Sequence, residues 1–139
     1  MGLILDTCIL IRAEKNPGSF NFTKWQSYGE AYISVITASE LLMGVHRADT
    51  KARKFKRSAF VEAIIKEIPI IDFTIETARI HSEIYAYLTQ HGKLIGAHDL
   101  IIAATAVAHG HALLTTNQQE FNRVPGLKVL PAESNYSIL

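Results

Sequence analysis

Short runs of apolar residues alternate along the chain with longer segments in which apolar residues recur at helical spacing. A continuous apolar run a few residues long is typical of a strand buried on both faces. These runs predict strands at residues 3–5, 32–34, 69–72 and 112–115, and a fifth at residues 127–130. Apolar positions at i, i+3, i+4 and i+7 are typical of an amphipathic helix instead.

Helical spacing fills most of the gaps between the predicted strands. The predicted helices are residues 7–13, with an end before Asn16, and residues 37–46, 51–66, 74–90 and 97–109. We expect Thr74 to cap the fourth helix and Gly110 to end the fifth. Strands that alternate with helices predict an α/β fold, in which helices cover both faces of a parallel sheet. Functional sites in such folds form beyond the carboxyl ends of the strands.

Asp6, Glu40 and Asp99 each stand alone within an uncharged stretch of the sequence. Asp6 follows the first predicted strand, Glu40 lies on the helix after the second, and Asp99 lies in the first turn of the helix before the fourth. In a parallel sheet these positions share one edge, where carboxylates raise one another's pKa unless a cation compensates. Oxygen ligands without a cluster of histidines or cysteines favour Mg²⁺ or Mn²⁺.

Each of the three acids also has an ordinary structural interpretation. Asp6 is in the right place to cap a helix, and Asp99 to complement a helix dipole. Glu40 could form an ion pair with Arg12 or Arg47. The shared location of the three acids favours the metal site over three separate explanations.

Composition and length narrow the class of protein. With 139 residues, 48% of them hydrophobic and 19% charged, the chain is expected to fold as a single domain over residues 1–139 and not to be disordered. One cysteine excludes an intramolecular disulfide and a cysteine-based zinc cluster. No apolar run is as long as a membrane span, and Asp6 comes too early for a signal peptide, so we expect a cytoplasmic protein without a membrane partner.

The net charge of +1 indicates no partner, but the charge is unevenly distributed. The basic segment, residues 51–57, contains five of the 14 basic residues and none of the 13 acidic ones. Its cations are Lys51, Arg53, Lys54, Lys56 and Arg57. We expect its helix to pack through an apolar stripe formed by Ala52, Phe55, Ala59 and Ala63. The cations are then either a solvated helix face or a docking surface for phosphates.

Four motifs, in their order along the chain, resemble the PIN-domain ribonucleases. They are Leu5-Asp6-Thr7, the stretch from Ser34 to Leu41 with Glu40, His98-Asp99, and the stretch from Leu114 to Phe121. Residues 95–99 and 120–127 are especially similar to the VapC toxins of bacterial type II toxin–antitoxin modules. The ordered set spans nearly the whole chain and is more specific than any one motif.

The resemblance implies a fold, an activity and partners. The fold is an α/β/α sandwich around a parallel sheet of four or five strands. The activity is Mg²⁺- or Mn²⁺-dependent cleavage of RNA, with tRNA among the candidate substrates. The partners are a second copy in a homodimer and a cognate antitoxin whose C-terminal segment occupies the site.

The resemblance also assigns roles to residues of this chain. Asp6, Glu40 and Asp99 become metal ligands, and Thr7 with Thr115 or Thr116 supplies supporting hydroxyls. The charge distribution, and not the resemblance, gives the candidates for RNA binding. They are Arg12, Lys15 and His98 near the predicted site, and Lys51, Arg53 and Lys54 of the basic segment.

This sequence departs from the family pattern at three positions. Cys8 stands where Asn is common, His98 where Tyr is common, and Asn117 where a fourth Asp is common. Either Asn117 or Glu120 could therefore be the fourth metal ligand, and one metal ion is as plausible as two.

Two other functions are compatible with the sequence. One is an α/β binding module without catalytic activity, in which the acids only cap helices. The other is a hydrolase that uses Cys8 as its nucleophile, although no family signature surrounds this residue. His109-Gly110-His111 has a spacing that occurs in zinc sites, but the sequence offers no third ligand.

Overall fold

The structure is a computed structural model that describes residues 1–16 and 27–132. Its strands are β1 (Leu3–Leu5), β2 (Ala31–Ser34), β3 (Ile70–Ile71), β4 (Ala112–Thr115) and β5 (Val129–Pro131). Its helices are α1 (Thr7–Lys15), α2 (Val35–Arg47), α3 (Lys51–Glu67), α4 (Ile75–Gln90), α5 (Ala97–His109) and α6 (Gln118–Phe121). None of these helices is long and apolar enough to cross a membrane.

The five strands form one parallel sheet in the order β3-β2-β1-β4-β5. The central strand, β1, pairs with β2 on one side and with β4 on the other, and Leu5 lies opposite Leu114. The chain leaves β1 toward β2 and reaches β4 only later, so the strand order reverses between β1 and β4. In open parallel sheets a ligand crevice forms at this reversal, beyond the carboxyl ends of the strands.

Helices cover both faces of the sheet, as predicted. Successive side chains of a strand point to opposite faces, and Leu3 and Leu5 accordingly join one buried cluster while Ile4 joins the other. The first cluster contains Leu10, Leu41 and other residues of α1, α2 and α3, and the second is built mainly from α4, α5 and α6. The α/β/α sandwich with a five-stranded parallel sheet is confirmed.

Polar residues at the strand ends begin the helices that follow. Ser34 ends β2, and its hydroxyl accepts a hydrogen bond from the Ile36 N–H, so α2 starts two residues before its predicted beginning. The predicted cap at Thr74 is confirmed, because its hydroxyl accepts from the Thr77 N–H. Gly110 ends α5 with φ 66°, a left-handed conformation that favours glycine.

Two predicted strands need correction at their boundaries, and one helix was missed. The third strand is only Ile70–Ile71, and the fifth is Val129–Pro131 and therefore begins later than predicted. Helix α6 was not predicted, because its four residues are too few to show a helical period.

The predicted packing face of α3 is wrong. Ala52, Ala59 and Ala63 are exposed, and Phe55 is 80% exposed. The helix packs through a second stripe in its C-terminal half, where Val61 is buried beside Phe60, Ile64, Ile65 and Ile68. Hydrophobic stabilisation scales with the apolar area that is buried. The larger side chains of the second stripe bury more apolar area than the alanines would, so the second stripe packs against the core.

Candidate active site

Asp6 lies at the centre of the carboxyl edge of the sheet, between β1 and α1. It is 5% exposed, and it caps α1 by accepting a hydrogen bond from the Thr7 N–H through Oδ1 at 2.8 Å. Its Oδ2 accepts from the Thr115 hydroxyl at 2.6 Å and from the Cys8 thiol at 3.2 Å. Burial raises the pKa of Asp6, and these hydrogen bonds oppose the rise. Asp6 is therefore both the helix cap and the most deeply placed carboxylate of the site.

Glu40 reaches the same edge from α2. Its Oε1 accepts a hydrogen bond of 2.6 Å from the Thr7 hydroxyl, which also lies 3.0 Å from the hydroxyl of buried Thr37. Its Oε2 lies 3.2 Å from Nδ1 of His98 on α5. Among the ion-pair contacts of the described residues, Glu40 faces this histidine and not Arg47. Glu40 therefore contacts side chains in the first turns of both α1 and α5.

Asp99 completes the group from the first turn of α5. Its pKa is raised to about 6, first by burial and then by the negative charges of Asp6, Glu120 and Glu40, while His98 lowers it. Charge–charge repulsion is strong enough to raise a pKa only at short range. The four acids, Asp6, Glu40, Asp99 and Glu120, therefore share one electrostatic environment. Such a group is unfavourable unless protons or cations neutralise it.

Glu120 is anchored by two hydrogen-bond donors, both neutral. The Gly96 N–H donates to Oε1 at 3.0 Å, and the Asn117 side-chain amide donates to Oε2 at 2.6 Å. These bonds lower the pKa of Glu120. The two candidates for the fourth metal ligand, Asn117 and Glu120, therefore form one hydrogen-bonded unit, which Thr115 holds in place by accepting from the Asn117 N–H at 2.9 Å.

The donors at this edge have the chemistry that a hard divalent cation prefers, because they are carboxylate, hydroxyl and amide oxygens with an excess of negative charge. No three His, Cys, Asp or Glu side chains within residues 1–16 and 27–132 are arranged to hold an ion on their own. Mg²⁺ usually takes one or two carboxylates and completes its coordination with water. The residues present therefore fit a hydrated divalent ion.

Cys8 lies beside Asp6 but is poorly suited to nucleophilic attack. Burial and the charge of Asp6 raise the pKa of its thiol, and nucleophilic cysteines need the opposite shift. Its described hydrogen-bond partners are Asp6, Thr115 and Thr116, and no described histidine contacts it. The geometry therefore opposes the cysteine-hydrolase alternative.

The two candidate supporting threonines differ in their contacts. Thr115 is fully buried and binds Asp6 directly, whereas Thr116 is exposed and donates to the Cys8 sulfur at 3.2 Å. Thr37, which sequence reasoning missed, lies next to Thr7 in this network. Its position one helical turn before Glu40, on the buried face of α2, is the signal that could have identified it.

The basic residues proposed for RNA binding lie at several distances from the acids. His98 contacts Glu40 directly, and Lys15 lines a groove between α1, α2 and α3 to which Glu40 and Arg57 also contribute. Arg12 lies in the last turn of α1. Arg53 forms an exposed ion pair with Asp49 at 2.8 Å, and exposed pairs of this kind are weak. The other two, Lys51 and Lys54, are exposed on the first turn of α3.

The chain matches the model of the PIN domain over residues 3–127. It is 42% identical to the ribonuclease VapC1 of Rickettsia felis over 96% of this chain and 98% of that relative. It is 32% identical to the tRNA(fMet)-specific endonuclease VapC of Shigella flexneri, over 90% of this chain and 93% of the relative. Among solved structures it is similar to VapBC2 of Rickettsia felis bound to a DNA fragment from their promoter, with a TM-score of 0.86, 30% identity, and coverage of 96% of this chain and 100% of that one.

Proposed function

This chain belongs to the PIN-domain family, in its VapC branch, and from that premise we propose that it is an endoribonuclease toxin that cleaves RNA with Mg²⁺ or Mn²⁺. The observation that supports this most is the convergence of Asp6, Glu40 and Asp99 from three separate segments on the crevice where the strand order reverses. Topology alone brings helix caps to this edge, but Asp6 and Glu40 also raise the pKa of Asp99 there, and such a group of acids is unfavourable unless protons or cations neutralise it.

Asp6, Glu40 and Asp99 would hold the ion, with Asn117 or Glu120 as the fourth ligand. When bound, the ion supplies Lewis-acid chemistry, which activates water and neutralises charge that develops on a phosphate. Thr7 and Thr115 position Glu40 and Asp6 by short hydrogen bonds. These bonds hold the two carboxylates in orientation before substrate arrives, which lowers the cost of organising the site.

The side chains also determine which products are expected. Because the fold raises the pKa of the Cys8 thiol, we propose that water and not a protein group attacks the phosphate. Cleavage should therefore leave a 5′ phosphate and a 3′ hydroxyl. His98, which lies at the exposed side of Glu40, is proposed to contact the RNA phosphates together with Arg12, Lys15, Lys51, Arg53 and Lys54.

The proposal includes the partners that the VapC resemblance implies. We propose that a cognate antitoxin neutralises the toxin, that its C-terminal segment occupies the site, and that the toxin acts as a homodimer in the cytoplasm. The relative from Shigella flexneri is named as a tRNA(fMet)-specific endonuclease. This makes tRNA the first substrate class to test.

Cleavage of total RNA tests the proposal. We expect the wild-type protein to cut RNA with Mg²⁺ or Mn²⁺, to stop when the ion is chelated, and to leave 5′-phosphate ends. Asp6→Asn and Asp99→Asn should fold and lose cleavage. Asp72→Asn is the matched control, because Asp72 is exposed and is not among the charges that act on the pKa of Asp6 or Asp99. Cleavage that survives chelation, or that Asp99→Asn leaves unchanged, would refute the proposed mechanism.

A further inference from the structure

A groove between α1 and α3, the outer groove, is lined entirely by charged side chains. They are Glu14 and Lys15 of α1 and Arg53, Lys56 and Arg57 of α3. All of them are cations except Glu14. The outer groove therefore has an excess of positive charge, which fits an anionic ligand.

The inner groove, which lies between α1, α2 and α3, connects this charge to the candidate active site. It is lined by Glu40 and shares Glu14, Lys15 and Arg57 with the outer groove, so the two grooves adjoin. The rest of its lining is mainly apolar, which leaves Lys15 and Arg57 as its cations. A chain bound along both grooves would pass these two cations on its way to Glu40.

Arg57 is held at this junction by two contacts that leave it able to bind a ligand. Its Nη1 donates to the Gly44 carbonyl at 3.1 Å, and its Nε lies 3.4 Å from Oε1 of Glu14. Charge-assisted hydrogen bonds are usually about 2.7–2.9 Å long, so the contact with Glu14 is loose. The guanidinium also has more N–H donors than these two contacts use.

The other cations of the outer groove differ from Arg57. Arg53 donates to both carboxylate oxygens of Asp49, at 2.8 and 2.9 Å. Lys15 and Lys56 are exposed and make no ion pair within the described residues. Arg57 is thus the cation that a carboxylate of the groove itself partly neutralises.

We propose that Arg57 binds a backbone phosphate of the RNA substrate at the junction of the two grooves, and that the phosphate displaces Glu14 from the guanidinium. The inference rests on the proposed function and adds a residue that determines the affinity for RNA and its path to the carboxylates. The planar guanidinium matches a phosphate through two parallel hydrogen bonds. The Gly44 carbonyl keeps the guanidinium in place, so less freedom is lost when the phosphate binds.

Glu14 opposes binding in this arrangement. Its carboxylate lines both grooves, where it repels each phosphate that passes and competes for Arg57. Lys15 and Lys56 bind the neighbouring phosphates. An acidic peptide would meet the same cations, but the path ends at the carboxylates where the proposed function places the scissile bond of RNA.

Binding measured without cleavage tests the phosphate site. The protein is the full chain with Asp99→Asn, and the probe is a fluorescein-labelled oligouridylate in fluorescence anisotropy. Adding Arg57→Gln should raise Kd about 10-fold, as expected for the loss of a charged hydrogen bond. Arg57→Lys should not restore binding, because an ammonium cannot form the two parallel bonds. Adding Glu14→Gln instead should lower Kd about two- to fivefold, since the competing ion pair is weak.

Two variants control for charge alone. Glu62→Gln removes the same charge as Glu14→Gln from an exposed position that helical spacing places on the opposite side of α3 from Arg53. Lys66→Gln removes an exposed cation of α3 that lines neither groove. Both should leave Kd within twofold.

The salt dependence shows whether a phosphate contact is lost. Arg57→Gln should reduce the slope of log Kd against log salt by about 0.7, the value for one phosphate of a single strand. If Arg57→Gln fails to fold, Lys56→Gln replaces it, because this exposed side chain makes no ion pair within the described residues. The same reduction in slope is expected.

Several results would overturn the phosphate site. They are an unchanged Kd after Arg57→Gln, a weaker affinity after Glu14→Gln, and an equal gain in affinity after Glu62→Gln. Displacement of the RNA by polyglutamate at an equal concentration of charge would also overturn it and identify a groove for an acidic peptide. If wild type fails to cleave RNA while the two groove variants shift Kd as expected, the proposed function fails and the phosphate site stands.

Discussion

Replacing Asp99 by Asn should stabilise the metal-free protein. The fold raises the pKa of this carboxyl from 3.8 to about 6, mainly through burial and then through Asp6, Glu120 and Glu40. The ionised form is therefore less favourable in the folded protein than in the unfolded chain. An asparagine keeps the shape of the side chain and has no charge to bury.

The size of the effect follows from the shift in pKa. A shift of about two units corresponds to about 3 kcal/mol. Asp99 is only partly buried, and solvent screening reduces this to about 1–2 kcal/mol at pH 7.5. For a chain of this length, the midpoint of thermal unfolding should rise by about 3–8 °C.

The pH dependence has a definite sign. Because the folded pKa exceeds the unfolded value, the stabilising contribution of protonated Asp99 is fully present below about pH 4 and is lost as the pH rises through about 6. The advantage of Asp99→Asn over wild type should therefore be largest at pH 7.5 and should shrink toward pH 4. Taking the difference between the two proteins cancels the titration of every group that does not interact with Asp99.

Urea unfolding in EDTA, at several pH values, measures this difference. Asp72→Asn is the control, since an exposed carboxylate should change stability by less than about 0.5 kcal/mol. With saturating Mg²⁺ the order should reverse, because an ion that binds only the folded wild type stabilises it. If Asp99→Asn is less stable than wild type in EDTA at pH 7.5, or if the difference does not vary with pH, the buried charge of Asp99 does not destabilise the fold.

Three further predictions concern single side chains. Thr115→Val should lower the free energy of unfolding, measured with urea, by about 1–3 kcal/mol, because buried Asp6 loses its 2.6 Å hydrogen bond. The same change should reduce cleavage of RNA. Equal stability of the variant and wild type would contradict this. Cys8→Ala should retain cleavage of RNA. A folded Cys8→Ala protein without activity would show that the thiol takes part in the reaction. Nδ1 of His111 accepts a hydrogen bond from the Gly2 N–H at 2.8 Å, and burial, followed by the charges of His109 and the N-terminus, lowers the pKa of His111. The contribution of neutral His111 to stability is therefore present above about pH 6.5 and lost as the pH falls. The difference in stability between wild type and His111→Gln should decrease below this pH, and a difference that stays constant would show that the protonation of His111 does not affect stability.

The position of the acids could be predicted from the sequence because topology determines it. Once short apolar runs alternate with helices, the carboxyl ends of the strands must meet at one edge. Asp6 and Asp99 are placed there by sequence position alone, and the structure brings them into one electrostatic environment. The roles of these residues as metal ligands remain proposals.

The finer contacts depend on packing that no local pattern records. Nothing near Glu120 in the sequence shows that the Gly96 N–H, 24 residues earlier, donates to its carboxylate. The choice between Thr115 and Thr116 depends on where the strand ends. Helical periodicity predicted one stripe in α3, but a second stripe of larger side chains packs instead, because its burial removes more apolar area from water.

We propose that Asp6, Glu40 and Asp99 lie together at the edge of the sheet because they hold a divalent cation. Binding of Mn²⁺ measured by electron paramagnetic resonance, as loss of the signal of the free ion, tests this without relying on any RNA substrate. We expect saturable binding of Mn²⁺ by wild type and by Asp72→Asn, and no binding at the same concentrations by Asp99→Asn. Equal Mn²⁺ binding by wild type and Asp99→Asn, or no binding by wild type, would contradict it.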